Sequence, residues 1–317
     1  CEQTETPEEA KLRSQKGPLK REVVRIISPG TLTEDNLLKR KNNNFLGVIT
    51  NLNNSICIAW VDVSTGCFKT RQIGGNETLN QKQLLTNFLL RMDFSEILVS
   101  EDMKLDYIIE EWHPIIKKQD PTLFHYQSCF EQICSYYSIV SLEGIGSFSK
   151  GEIIAAGVLL NYLKQTQCGK LPFLSIIESE TTSEFLEIDY FTQKSLEILK
   201  NLSGNYEGSL ISCIDETKTA SGARLLKQRI VEPFYNINQI QDKYDLTNWI
   251  LEKNIDIKAN QKSLQNIPDL ERSLSRISLS RGGPKDLLLI STGLLFIKDI
   301  YENLVSNSKE TTLPNLL

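Results

Sequence analysis

Three acids, Asp62, Glu101 and Asp102, are the residues of this sequence whose spacing could do phosphoryl chemistry. Cutting a phosphodiester with two metal ions needs carboxylates that converge on ions about 3.5–4 Å apart. Asp62 lies within Trp60-Val61-Asp62-Val63-Ser64-Thr65-Gly66, and the other two follow the apolar run Glu96 to Ser100. The plainer role for Asp62 is to accept backbone N–H groups of the Ser64-Thr65-Gly66 turn. His125, Cys129 and Cys134 fall close together, but zinc sites show a tight pair of ligands twice and this stretch does so once, so they read as packing residues. The two histidines, in Trp112-His113-Pro114 and Phe124-His125-Tyr126, have no nucleophile elbow or oxyanion loop beside them. Gly146-Ser147-Phe148-Ser149-Lys150-Gly151 comes nearest to a phosphate loop, yet Glu152 follows it and would repel phosphate. It reads as a loop capping a helix that starts near Lys150. No catalytic, metal or cofactor-binding residue is assigned.

The elements that must position these residues come from a chain of 317 residues, which is about two domains. With 35 basic and 40 acidic residues the net charge is −5, so any grip on nucleic acid would be local. The apolar run Leu287 to Ile297 is about half the roughly 20 residues needed to span a bilayer, and no membrane partner is expected. Seven cysteines, several inside apolar runs, fit reduced core thiols and a cytoplasmic location. The sequence starts at Cys1 and has only Met92 and Met103, which suggests a piece of something longer. The rival reading is a lipoprotein anchored at Cys1 with Glu2 to Ala10 as its tether.

Arg21 to Ser28 reads as a strand ending at Pro29-Gly30, with a short helix over Thr31 to Leu38. Phe45–Asn51, Ser55–Val63 and Cys67–Ile73 form an antiparallel meander. Helix over Leu79–Met92, strand over Ser95–Ser100, helix over Met103–Glu111, strand over Thr122–Tyr126 and helices over Ser128–Tyr137 and Lys150–Leu163 follow. Beyond about residue 175 the apolar spacing becomes helical. Asp189 caps a helix carrying Leu196, Leu199 and Leu202, and further helices span Thr219–Val231, Ile237–Leu251, Asp269–Leu279 and Pro284–Val305. Arg224, Lys227, Arg229, Arg272, Arg276, Arg281 and Lys285 read as salt-bridged surface.

The first half resembles the ribonuclease-H-like fold, whose active members draw their first metal-binding acid from the first strand. Here that strand, Phe45 to Asn51, has none. A metal-dependent nuclease of that type is the alternative function. Four stretches, taken in order, are similar to the MutS family of mismatch-recognition ATPases. They are Arg21-Glu22-Val23-Val24-Arg25-Ile26-Ile27-Ser28-Pro29-Gly30-Thr31, Ala59 to Gly66, Leu186-Glu187-Ile188-Asp189 through Gly208-Ser209-Leu210 to Asp215-Glu216-Thr217-Lys218-Thr219-Ala220-Ser221-Gly222-Ala223-Arg224-Leu225-Leu226, and Asp269-Leu270-Glu271-Arg272 with Gly283-Pro284-Lys285-Asp286-Leu287. Ser195 departs from the asparagine common in the family.

The resemblance implies an α/β plus all-α chain: residues 1–36 as the tail of the mismatch-reading domain, 37–170 as a ribonuclease-H-like connector, and 171–317 as the first part of a helical core, or lever, domain. It implies a mismatch wedge upstream of this chain, and a DNA clamp and ATPase, with its ATP and Mg²⁺, downstream of Leu317. The fragment itself would transmit conformational change and dock MutL, without catalysis or cofactor, inside a homodimer on mismatched DNA. Patterning puts Phe130, Ile133 and Tyr137 on one apolar stripe and leaves Glu131, Gln132 and Ser135 as the expected docking face.

Overall fold

The computed structural model describes residues 2–12, 17–53, 55–73, 81–104, 110–180, 185–186, 188–252 and 257–307. Its first elements are β1 (Glu2–Gln3), α1 (Pro7–Leu12), β2 (Arg21–Glu22), β3 (Leu46–Leu52), β4 (Ser55–Asp62), β5 (Cys67–Ile73), α2 (Gln81–Met92), β6 (Glu96–Ser100), β7 (Ile116–Gln119), α3 (Tyr126–Tyr137), α4 (Lys150–Thr166) and β8 (Glu178–Ser179). Helices alone follow: α5 (Tyr190–Ser195), α6 (Leu210–Ile214), α7 (Ala220–Val231), α8 (Ile237–Glu252), α9 (Ile257–Gln265), α10 (Leu270–Ser278) and α11 (Pro284–Asn307). This is a mixed α/β region followed by a helical one, as the sequence pattern requires. The chain divides into a sheet unit, Cys1–Leu32, Asn44–Asn76 and Phe94–Ser179, and a helical unit, Thr33–Asn43, Glu77–Asp93 and Glu180–Leu317.

In the sheet unit six strands lie in the order β7-β6-β3-β4-β5-β8. The β3-β4 and β4-β5 pairs are antiparallel, and β3-β6, β6-β7 and β5-β8 are parallel. The central strands β3 and β4 are buried along nearly their whole length, so they carry continuous apolar runs rather than alternation. Helix α4 packs across β3, β4 and β5, with α3 on its other side. It is buried from Gly151 to Leu160 and again at Leu163 and Thr166. A helix enclosed on this scale needs small residues where neighbours come closest. A Cβ on Gly151 would stand 2.6 Å from Cys57 Sγ, and one on Gly157 would stand 2.5 Å from Cys129 Cα.

The helical unit is built from capped segments. Asp189, Thr219 and Asp269 each accept the backbone N–H of the residue three positions on, opening α5, α7 and α10. Phe185 and Phe234 bridge and stack with ring centroids 5.8 Å apart. Helices α10 and α11 pack together, where a Cβ on Gly293 would meet Leu270 Cδ2 at 2.6 Å.

Several expectations change. Only Arg21–Glu22 of the first predicted strand pairs, against β1. The stretch Thr31–Leu38 holds a single turn closed on Glu34 rather than a helix. The strand expected over Thr122–Tyr126 lies instead at β7, because Asp120 caps a 3-10 turn at Pro121–Phe124, where proline cannot supply a ladder N–H. The α5 helix stops at Ser195, and Glu197 at φ 50° turns the chain away, so Leu199 and Leu202 are not on it. Cys1, Glu187 and much of the helix expected over Met103–Glu111 fall outside the described residues.

In an exposed helix Gly→Ala gains up to about 1 kcal/mol. Gly157→Ala is expected to lose about 1–3 kcal/mol through overpacking against Cys129. Urea denaturation measures it, and a stabilised variant would contradict the packing.

Candidate functional site

The acids that could have held metal do not converge. Leu46 at the start of β3 pairs with Val61 and with Glu96, so Asp62 lies at that end of the sheet. Glu101 lies past Val99, which pairs with Ile49, toward the opposite end. About six residues of strand separate the two levels, roughly 20 Å. Asp62 is completely buried and its oxygens accept from the backbone N–H of Asn44 (3.0 Å) and of Ser64 (2.9 Å) and from the Ser64 hydroxyl (2.6 Å). Glu101 and Asp102 are exposed. Among the described residues no group of three His, Cys, Asp or Glu side chains could hold a metal ion. Cys129 donates to the Leu123 carbonyl at 3.3 Å, and burial pushes its thiol up to about 11.

Of two further buried carboxylates, Glu96 was not singled out from the sequence and Glu152 was read only as an acid that would repel phosphate. Glu96, 1% exposed, accepts from Ser28 Oγ, from Gly30 N–H (3.0 Å) and from Tyr162 OH (2.7 Å). Burial pushes the Tyr162 phenol up to about 12. The signal for Glu96 was an acid inside the apolar run of β6. Glu152 closes a capping box with Ser149 at the start of α4, as the loop reading implies. Its other oxygen accepts from Thr70 (2.9 Å) and Ser179 (2.6 Å), one on each strand of the β5-β8 pair.

In the helical unit Arg224 and Arg272 are salt-bridged, as expected, but buried rather than on the surface, while Arg276 and Arg281 are half-buried and Arg229 is exposed. Arg224, its side chain 5% exposed, pairs with both oxygens of Asp269 (2.7 and 3.0 Å) and with Glu271 (2.7 Å), and donates to the Arg40 carbonyl (3.1 Å). Burial opposes the Asp269 charge, but Arg224 and Arg272 hold its carboxyl below the usual range. Arg272, 1% exposed, donates to the carbonyls of Lys39 (3.2 Å) and Asn42 (2.7 Å). Arg276 spans Asp286 and Asp35, and Arg281 reaches the Thr33 hydroxyl at 3.3 Å. Lys41 pairs with Asp215 at 2.7 Å.

The expected docking face lies on α3. Cys129 and Ile133 are its buried residues; Ile133 of the predicted stripe is thus buried, Phe130 and Tyr137 are half-buried, and Cys129 was not in that stripe. Glu131 and Ser135 are exposed and Gln132 is intermediate; Glu131 accepts from Gln127 Nε2 at 2.8 Å. The helix is anchored from its inner side. Tyr136 OH donates to the Pro172 carbonyl (2.7 Å) and accepts from Leu174 N–H (2.8 Å), and Tyr137 OH donates to the Ser175 carbonyl. Burial raises both phenols. Ser138 in the left-handed region ends the helix, leaving Val140 95% exposed.

Asp62→Asn would place an amide donor against donors, and is expected to cost about 2 kcal/mol in urea denaturation; no loss would contradict the hydrogen-bonding role. Asp215 gives a pH test. Burial works to raise its carboxyl, but Lys41 and Thr217 hold it at about 2 against an ordinary 3.8. Its stabilisation is complete above about pH 4 and is lost as pH falls through about 2, where the folded chain also takes up the proton. The stability gap between the parent chain and Asp215→Asn is therefore expected to be widest above about pH 4 and to narrow toward about pH 2. A gap independent of pH would contradict the pair.

Three family models match in succession: MutS domain I over residues 1–36, MutS domain II over 44–175 and MutS domain III over 191–316. The DNA mismatch repair protein MutS of Wolbachia pipientis wMel is 39% identical over 298 residues, covering 93% of this chain and 34% of that protein. The MutS proteins of Dinoroseobacter shibae and Roseobacter denitrificans are each 36% identical, over 93% and 100% of this chain and 33% and 35% of theirs. The chain thus spans about a third of the length of the curated relatives it matches. With three consecutive domain models matched, the chain belongs to the MutS family of DNA mismatch repair proteins.

Proposed function

We propose that this chain is the transmitting and partner-docking part of a MutS protein that recognises mispaired bases and signals repair with ATP. In this reading residues 1–36 end the mismatch-reading domain, 37–170 are a ribonuclease-H-like connector and 171–317 begin the helical lever. ATP and Mg²⁺ act in parts of the protein other than this chain, which carries no catalysis of its own. The whole protein works as a homodimer on mismatched DNA in the cytoplasm. Among the described residues no helix is long and apolar enough to cross a membrane.

One observation carries this reading. A mixed-sheet unit and a helical unit exchange chain repeatedly, with Thr33–Asn43 and Glu77–Asp93 belonging to the helical unit while the residues on either side belong to the sheet unit. Flexibly linked domains are joined by exposed linkers that few contacts cross. Interleaved units suit a part whose task is to pass movement on. MutL docks on α3 through Glu131, Gln132 and Ser135. Support comes from the anchoring of α3 by Tyr136 and Tyr137, which holds the outer face of the helix in one orientation. A preformed face loses little side-chain and loop entropy on binding.

Biolayer interferometry of the chain against MutL, without DNA or nucleotide, tests the docking. The double variant Glu131→Ala, Gln132→Ala is expected to weaken binding by roughly tenfold, the size of a lost hot-spot contact. Unchanged affinity, with the fold verified by circular dichroism, would sink the docking face.

A further inference from the structure

The inward face of α7 carries Ala223, Arg224, Lys227, Ile230 and Val231. The charges at its two ends are filled. Arg224 is taken by Asp269 and Glu271, and Glu232, just past Val231, forms an ion pair with Arg91 of α2 at 2.8 Å. Lys227, half-buried between them, is the exception. Among the described residues no hydrogen bond or ion pair holds its ammonium, contrary to the surface pairing expected of it. A cation set into a packed face costs free energy until an anion meets it. Burial pushes the Lys227 ammonium below its ordinary range; of the charged groups that face it, Asp93 attracts it, whereas Lys200 and Lys39 repel it.

Hydrogen bonds within the helical unit fix where these neighbours lie. Arg224 donates to the Arg40 carbonyl and Arg272 to that of Lys39, which lays residues 39–40 beside α7. The Arg91–Glu232 pair sets the end of α2, and with it Asp93, beside the end of α7. Helices α2 and α5 pack together, and the chain leaving α5 carries Lys200. Lys39, Lys200 and Asp93 are exposed, so the cluster is open to solvent and Lys227 is its most buried member. Three lysines against one aspartate leave two positive charges in excess. A carboxylate would neutralise only half of that excess, whereas a phosphate monoester or inorganic phosphate carries roughly −1.5 to −2 at neutral pH. Lysine ammoniums, as point charges with several donors, suit a tetrahedral anion approached from more than one side. We infer that Lys227, Lys39 and Lys200 form a binding site for a phosphate dianion. The site lies within the helical unit and rests on neither the transmitting role nor the docking face proposed above.

Isothermal titration calorimetry of the whole chain with inorganic phosphate, against sodium chloride at matched ionic strength, tests the site. Saturable binding is expected. Lys227→Met is expected to weaken it by roughly tenfold or more, the size of a lost bond to a charged group. Lys262→Met, at an exposed position of α9, is expected to leave it unchanged. Lys227→Met also removes an unpaired charge from a packed face. Without phosphate it is expected to match or exceed the parent chain in urea denaturation, and with phosphate to lack the gain in stability that the parent shows. A nucleoside 5′-monophosphate separates the sources of the group: tighter binding than inorganic phosphate assigns the site to a phosphate carried on a nucleotide, and equal or weaker binding to the free ion. Heat that follows ionic strength alone, without saturation, would overturn the inference. So would phosphate binding that Lys227→Met leaves intact. Stronger binding of an oligothymidylate without a terminal phosphate, whose diesters carry one charge each, would overturn it as well. Should Lys227→Met not fold, Lys200→Met, at an exposed position, gives the same comparison.

Discussion

Taking a carboxylate out of water costs several kcal/mol unless its oxygens find donors, and this requirement shapes the sheet unit. Asp62, Glu96 and Glu152 are each at most 3% exposed. Asp62 draws the Ser64 amide and the Asn44 amide onto the end of β4. Glu96 draws in the Ser28–Gly30 turn and the Tyr162 hydroxyl of α4. Glu152 caps α4 and bridges Thr70 of β5 to Ser179 of β8. Apolar burial explains why a sheet and a helix associate, but it is indifferent to register and approach angle. The acids supply what it lacks, because a hydrogen bond misplaced by an ångström leaves a buried charge unfilled.

The helical unit solves a similar problem with the opposite charge. Arg224 and Arg272 share Asp269, an N-cap, so one carboxylate both starts α10 and orients two guanidiniums. Those guanidiniums then spend their remaining donors on backbone carbonyls of residues 39–42. Arginine suits this because its planar fork presents several donors in fixed directions, where a lysine's three donors sit on one mobile point charge. Carbonyl acceptors make the arrangement nearly independent of side-chain identity over residues 39–42, which explains how exposed, polar Lys39 and Arg40 can lie in a tightly held segment.

The meander, the turn at Gly66 and the cap at Asp189 were legible because each depends on neighbours within a few residues. The loop ahead of Glu152 was legible as a helix cap, but Glu152 itself was not legible as a bridge between strands. What remained hidden depends on partners far along the chain. Nothing near Arg272 in sequence points to carbonyls more than two hundred residues away, and i, i+3 acids beside it suggested surface pairing instead. The edge strand β7 was missed because Ile116-Lys117-Lys118-Gln119 is mostly polar, as an exposed edge must be to resist unwanted pairing. Glu131, Gln132 and Ser135 belong to a third class: the exposure of Glu131 and Ser135 could be read from helical period, whereas a docking role has no local signature.

These features together separate rigidity from mobility in a way that suits transmission. A displacement passes through a protein only where the intermediate parts have few alternative arrangements; a compliant link would absorb it. Among the described residues the sheet unit meets this condition through α4, enclosed between strands and α3 with glycines at its closest contacts. The helical unit meets it through the Asp269-centred arginine cluster.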